Sequence, residues 1–309
     1  MRCLLCGEIA IVEESYKKEH FIDMWYKFYD VSTVFTEDSI NKYRCTSCSL
    51  VFFDPKYSGS NDFYSKLGEL DWYYNHSGKT EFQYCQSFIK DGDQLLDIGC
   101  GIGVLKSELS DKIDYTGIEL SSGAHKIATS KNINVFNELI QDYSKNHLEQ
   151  YDCVVSFQVL EHLNEINSFV SSAISCIKPG GYFIVAVPNN NAFIKNVPNH
   201  KFNLPPHHMI HWNESQLRLL GKLHGLKIID VHKEKIQQIH MQEARVSAIY
   251  EIICKLRNKK VKLVDYTNWH FKVISKIHFF TRFIPSFFID LFLKRRYKYG
   301  QSIMVTFQK

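Results

Sequence analysis

The chain has 309 residues, 45% of them hydrophobic and 23% charged, with a formal net charge of +4. This is the composition of a soluble globular protein, long enough for one large domain and a smaller appendage. The charge is too mild to indicate a nucleic-acid partner, and no uncharged run approaches the ~18 residues of a membrane span.

Cys3-Leu-Leu-Cys6-Gly7 opens the chain, and Cys45-Thr-Ser-Cys48 follows after 38 intervening residues. Two such pairs suit one tetrahedral zinc, because a two-residue spacer lets both thiolates of a pair reach the same ion. Four free thiols or a redox pair is the alternative, and His20 is a rival ligand. The other five of the nine cysteines stand alone, the habit of reduced protein, and MRCLLCGEIA has no apolar leader core. The expected compartment is the cytoplasm. Phe21, Trp25, Tyr26, Phe28 and Tyr29 read as a small packed lobe between the pairs. Residues 50–55 read as a strand halted by Pro55. Residues 56–90 read as short helices that lead into the core and partly cover a cleft, with Tyr64, Trp72, Tyr73 and Tyr74 lining it or packing beneath it.

Residues 94–105 read QLLDIGCGIGVL. An apolar run ends at Asp97, and Gly99, Gly101 and Gly103 follow at alternate positions: a buried strand, a turn almost free of side chains, then a helix. A dinucleotide fingerprint needs glycine at its first, third and sixth positions, and here the sixth is Val104. Asp97 would repel a pyrophosphate there, but it would welcome the ammonium and sulfonium of S-adenosylmethionine. DYTGIEL then ends in Glu119, an acid at the end of a second strand, placed for ribose hydroxyls.

Further strands are expected at 134–136, 152–157, 182–187 and 226–232, after 94–98 and 115–119. Their alternation with helices implies a doubly wound α/β fold with a parallel sheet. The helix over 165–178 turns Ile166, Phe169, Val170, Ala173, Ile174 and Ile177 to one face and stops at Lys178-Pro179-Gly180-Gly181. Asn213 and Gln216 resemble a capping box for a helix running to His224, stopped by Gly225.

YDCVVSFQVLEHL (151–163) and IKPGGYFIVAVPN (177–189) complete four motifs in order. Over roughly 91–231 the sequence resembles the class I S-adenosylmethionine-dependent methyltransferases, in the branch with Glu-His-Leu after the fourth strand and Pro-Asn after the fifth. Some members carry an N-terminal cysteine module ending in a similar aromatic-Asp-Pro run. The resemblance implies a Rossmann-like sheet of seven strands with an antiparallel last strand, which 301–309 fits. The organisation expected is a zinc module (1–55), a helical lead-in (56–90), the cofactor-binding core (91–235), a helical insertion (236–300) and the final strand (301–309).

Carried onto this chain, the family's roles give Asp97, Gly99 and Gly101 the methionine half of the cofactor and Glu119 the ribose. Glu138 and Leu139 would meet the adenine, and Gln158 the methionine carboxylate or methyl. Cys100, Gly103 and Leu120 complete the set.

LPPHHMIHW (204–212) places three histidines after the fifth strand. Imidazole titrates near neutrality, so His207 or His208 is the expected base, with His162 of the Glu161-His162 pair as second candidate. Ser156-Phe157-Gln158 departs from the Asn/Asp-Pro-Pro-aromatic motif of DNA adenine methylation. The branch often modifies sugars, polysaccharide precursors and secondary metabolites. The expectation is therefore O-methylation of a glycan or small-molecule hydroxyl. Alternatives are C-methylation of a nucleotide sugar, RNA methylation, or a non-catalytic cofactor-binding regulator. Residues 237–299 read as helical. Their apolar stretch 271–293, followed by Lys294-Arg295-Arg296, reads as a cap on the core or on a second subunit, with peripheral membrane contact through 271–296 as the alternative.

Overall fold

Apolar runs without alternation, such as VVSF and FIVAV, need burial on both faces, which a central sheet between helices supplies. The computed structural model describes residues 1–74, 77–266, 276 and 286–309. Near the N-terminus, β1 (Ala10–Lys17), β2 (Ser39–Cys45) and β3 (Val51–Phe53) form antiparallel pairs. The chain then runs through β4 (Gln94–Ile98), β5 (Asp114–Ile118), β6 (Val135–Phe136), β7 (Tyr151–Phe157) and β8 (Ile177–Pro188). Next come β9 (Ile210–His211), β10 (Lys227–Lys233) and β11 (Ser302–Gln308).

Seven strands make one sheet in the order β10-β11-β8-β7-β4-β5-β6. The strands from β4 to β8 within it pair parallel, and β11 runs antiparallel between β8 and β10. That is the expected Rossmann-like sheet, with 301–309 in the expected place. Leu95, Leu96, Val154, Val155, Ile184, Val185 and Val305 are fully buried in it.

Two local expectations shift. The helix begins at Ile166 and ends at Ser175, so Lys178-Pro179-Gly180-Gly181 lies inside β8. The pairing there jumps from Tyr151 with Ile177 to Cys153 with Tyr182. Those four residues thus bulge out of the ladder, and the strand continues where proline and glycine suggested a turn. A side chain at Gly181 would strike the Asp152 carbonyl at 2.6 Å, which explains why the second glycine is needed.

The other sheet has the order β1-β2-β3-β9. β9 belongs to the histidine loop, so the N-terminal lobe pairs with residues 210–211, far along the chain. Phe21, Trp25, Phe35, Phe52, Phe53 and Trp212 are buried at this junction.

In the insertion, the Met241–Leu256 helix packs with Ala192, Phe193, Ile194 and Val197 in one cluster that also takes in Leu293. Asn199 and Asp265 exchange hydrogen bonds of 2.9 Å in both directions. These described parts cap the core. Most of the apolar stretch expected at 271–293 lies outside the described residues, and among those described no helix is long and apolar enough to cross a membrane.

Candidate active site

β4 stops at Ile98, and Gly99, Gly101 and Gly103 turn the chain at φ of 82°, 57° and 76°. A side chain at Gly99 would meet Val159 Cγ2 at 2.4 Å, and one at Gly103 would meet Ile133 Cδ1 at 2.2 Å. Only glycine supplies both the conformation and the room. The Gly101 amide donates to Glu119 Oε2 at 2.9 Å, and the Ser121 amide to Oε1 at 2.6 Å. Tyr115 donates its hydroxyl to Asp97 Oδ2 at 2.7 Å. Burial pushes the Asp97 carboxyl up to about 7 and raises Glu119 as well. Two buried carboxyl groups with elevated pKa, flanking a bare turn, form a place where a cation or a diol is stabilised.

Two cavities adjoin the turn and share Tyr73, Tyr74, Gly99, Gln158 and His162 as walls. The first, about 470 Å³, is lined by Asp97, Cys100 and Gly101 on one side and by Phe82, Phe157, Phe202 and the histidine loop on the other. The second, about 310 Å³, is lined by Glu119, Leu120, Glu138 and Leu139. All residues expected at the cofactor line one cavity or the other except Gly103, which packs beside Ile133. Of the expected cleft aromatics, Tyr64, Tyr73 and Tyr74 are in place, and the Trp72 side chain lies outside the described residues.

His162, His207 and His208 converge on the first cavity, and one ring nitrogen of each lies within 4.8 Å of one on each of the others. Their proton positions follow from their partners. His162 Nδ1 donates to the His207 carbonyl at 2.6 Å, and His207 Nδ1 donates to the Phe202 carbonyl at 2.9 Å. His208 Nδ1 faces Asn203 Oδ1 at 3.4 Å. Neutral His207 and His208 rings therefore present a lone pair at Nε2. That of His207 accepts the Tyr73 hydroxyl at 2.9 Å. Burial holds His162 down at about 4 and drives His207 and His208 well below the usual imidazole range, so all three are neutral.

Glu161 completes the cluster. It is fully buried, neither carboxylate oxygen has a hydrogen-bond partner, and Oε1 lies 3.8 Å from Nε2 of both His162 and His208. Burial pushes it up to about 8. The third histidine of the loop, His211, stands apart: its Nε2 donates to the Asn203 carbonyl at 2.9 Å within the N-terminal sheet.

A family model described as a methyltransferase domain matches residues 77–231, half of the chain. The chain belongs to the class I S-adenosylmethionine-dependent methyltransferases. Among its relatives is the ubiquinone biosynthesis O-methyltransferase of Hydrogenovibrio crunogenus, 31% identical over 31% of this chain and 43% of that one. Another, from Pectobacterium carotovorum, is 25% identical over 40% of this chain and 62% of its own length. The chain thus spans less than two thirds of these curated relatives. A SAM-dependent methyltransferase from Archaeoglobus fulgidus superposes with a TM-score of 0.51 at 17% identity, over 82% of this chain and 96% of that one. One from Thermotoga maritima gives 0.50 at 14% identity, over 81% and 97%. These last two show the shared fold.

In this methyltransferase the four N-terminal cysteines also meet. Cys3 and Cys48 sulfurs lie 3.6 Å apart, Cys6 and Cys45 3.5 Å, and Cys6 and Cys48 3.6 Å. Tetrahedral thiolates bound at ~2.3 Å to one ion are spaced by about 3.7 Å, so the cluster fits a metal. The Cys48 amide points at Cys45 Sγ from 3.4 Å, the kind of contact that steadies a thiolate. His20 is not part of the cluster; it stacks on Tyr266 with centroids 4.4 Å apart.

Three participants escaped the sequence reading: Glu161 as an orphaned carboxylate, Tyr73 as the donor to His207, and Phe202 as its acceptor. Glu161 carried a signal, since it stands beside His162 in the Glu-His-Leu motif, and Tyr73 stood among the cleft aromatics without this role; Phe202 carried none.

Proposed function

We propose that this methyltransferase moves the methyl group of S-adenosylmethionine to a hydroxyl oxygen of a small hydroxylated acceptor. The observation that carries the reading is the junction of the two cavities at Gly99 and Gln158, with carboxylates on the cofactor side and histidines on the other. Asp97 takes the ammonium of the cofactor, Glu119 its ribose hydroxyls, and Glu138 and Leu139 border the adenine. The sulfur–methyl bond breaks as the oxygen–methyl bond forms, and the sulfonium charge disappears. The protein's task is to align the three atoms, exclude water and release the acceptor of its proton. The Nε2 atoms of His162 and His208, beside Glu161, are where that proton is dealt with.

The acceptor class follows from the walls. Tyr73, Tyr74, Phe82, Phe157 and Phe202 give the cavity aromatic walls, and Lys79, Gln158, Glu161, Glu243, Gln301 and the histidines give it polar ones. Such walls suit a flat hydroxylated molecule, whose plane lies against the rings and whose hydroxyls meet the polar groups. The relatives' names also speak of O-methylation, in ubiquinone biosynthesis, and lend the glycan expectation no support. Structural zinc at Cys3, Cys6, Cys45 and Cys48 is part of the same proposal, since four thiolates at tetrahedral spacing select it.

Calorimetry with S-adenosylhomocysteine and with NAD tests the cofactor, and S-adenosylhomocysteine release over a panel of hydroxylated aromatic compounds tests the acceptor. Binding of NAD without response to S-adenosylhomocysteine overturns the reading.

A further inference from the structure

We propose that Glu243, carried by the insertion helix Met241–Leu256, selects acceptors that bear a protonated amine besides the hydroxyl to be methylated. The inference rests on the methyl-transfer reading above and deepens it by naming a second group on the acceptor.

The first support is where the insertion reaches. It lies beyond the methyltransferase domain of residues 77–231, and it returns to one of the two cavities only. Ile239, His240 and Glu243 line the cavity of about 470 Å³, joined by Gln301 at the far stem of the insertion. The described walls of the other cavity all lie at or before Phe169. The insertion therefore bears on the cavity that takes the acceptor, not on the one lined by Glu119.

The second is a contrast between two glutamates of the same helix, about two turns apart. Glu251 accepts from Asn196 Nδ2 at 2.8 Å, from the Tyr297 hydroxyl at 3.0 Å and from the Ser247 hydroxyl at 3.2 Å, and it pairs with Arg296. Burial works to raise its carboxyl, but Arg296, Asn196 and Tyr297 hold it below the usual range. Glu251 is thus spent on clasping the insertion together. Glu243 has no such partners among the described residues: its Oε2 is buried without a hydrogen bond, and burial raises its carboxyl. A carboxylate left in a cavity wall in this state is costly until a donor arrives, and an ammonium satisfies it most strongly.

The third is the charge of the walls. The cavity holds the carboxyl groups of Asp97, Glu161 and Glu243 against one lysine, Lys79. Lys79 sits over the Phe82 ring at 5.4 Å and acts on Asp97 and Glu161, whereas no cation among the described residues acts on Glu243. A second hydroxyl would give Glu243 a hydrogen bond and leave its charge unbalanced. An ammonium supplies both, and the aromatic walls suit the ring that carries it.

The test is calorimetry on the full-length protein saturated with S-adenosylhomocysteine. The probes are three phenolic amines of increasing arm length: p-hydroxybenzylamine, tyramine and p-hydroxyphenylpropylamine. Each is compared with the alcohol that has a hydroxyl in place of the ammonium. At least one amine should bind tenfold or more tightly than its alcohol, the scale of a charge-assisted hydrogen bond. Glu243→Gln should remove that advantage, and Glu243→Lys should turn it into a preference for p-hydroxyphenylpropanoate. An amine-to-alcohol ratio near one at every length, or an advantage that survives Glu243→Gln, overturns the proposal. Should Glu243→Lys fail to fold, the near-isosteric Glu243→Gln still decides. S-adenosylhomocysteine binding, measured first, separates the two failures. Where it is intact and the amines gain nothing, the methyl-transfer reading stands and only the role of Glu243 falls; where the wild type does not bind it, both fall.

Discussion

The backbone amide of Phe53 donates to the carbonyl of Met209 at 2.8 Å, tying the strand that leaves the second cysteine pair to the loop that carries the active-site histidines. Around it, β3 pairs with β9, Trp25 Nε1 reaches the Pro205 carbonyl at 3.2 Å, and Gln216 Nε2 reaches the Cys48 carbonyl at 2.7 Å. Met209 in turn donates to the Glu161 carbonyl at 2.8 Å. The N-terminal lobe is therefore a brace for the acceptor side of the site, while the cofactor turn is built from β4 and β5.

From this arrangement, Cys45→Ser should lose the N-terminal zinc and lower turnover at least tenfold, with S-adenosylhomocysteine affinity changed less than about threefold. Metal analysis and calorimetry on the same preparation check it. Equal losses in turnover and affinity would show that the lobe supports the whole fold and not the histidine loop alone.

A second expectation concerns pH. Asp97 is held at about 7 in the folded protein by burial, against ~3.9 for an exposed aspartate. A raised carboxyl stabilises the unliganded fold below the unfolded value, and that contribution is lost as pH rises toward 7. The cofactor's ammonium favours the ionised form, so its binding releases the proton. Affinity for S-adenosylhomocysteine should then fall up to tenfold for each unit below pH 7 and level off above it. Asp97→Asn should flatten the profile, and Asp97→Ala should weaken binding by at least ~1.5 kcal/mol. A wild-type profile that stays flat from pH 5 to 8 would remove Asp97 from this role.

The turn itself supplies a third. Gly99→Ala combines a left-handed φ of 82° with a clash at 2.4 Å against Val159. The strain of the conformation alone is about 1–2 kcal/mol, and Val159 borders the second cavity. The variant should melt several degrees lower and bind S-adenosylhomocysteine at least tenfold more weakly. Gly123→Ala, in the Ser122–Ser130 helix with nothing nearer than 3.9 Å, is the control and should do neither.

The sheet and the cofactor turn were legible because both are local in sequence. Strand, acid and glycines of the turn fall within ten residues, and apolar runs separated by helices specify a parallel sheet wherever they occur. What escaped notice was non-local. The pairing of Phe52 with Ile210 joins two short strands with no distinctive pattern. The bulge at Lys178–Gly181 was hidden because proline and glycine signal a stop, and only the neighbouring β7 shows that the ladder resumes at Tyr182. The histidine cluster was found by position, but which ring nitrogens are bare depends on carbonyls of Phe202 and His207 that no spacing reveals.

That difference between the rings gives the last prediction. His207 Nε2 already accepts the Tyr73 hydroxyl, whereas His208 Nε2 lies 3.8 Å from the buried Glu161. A hydroxyl acceptor needs its proton removed by a base, and loss of that base lowers turnover by roughly 10²–10⁴. His208→Ala should therefore cut turnover at least a hundredfold with S-adenosylhomocysteine affinity nearly intact. Tyr73→Phe, which deletes the donor and keeps the ring, should cost less than tenfold, mostly in acceptor KM. Single-turnover methylation with a common acceptor compares them. Normal turnover in both His208→Ala and His207→Ala would make the loop structural and shift the role to His162, whose Nε2 faces the same carboxylate.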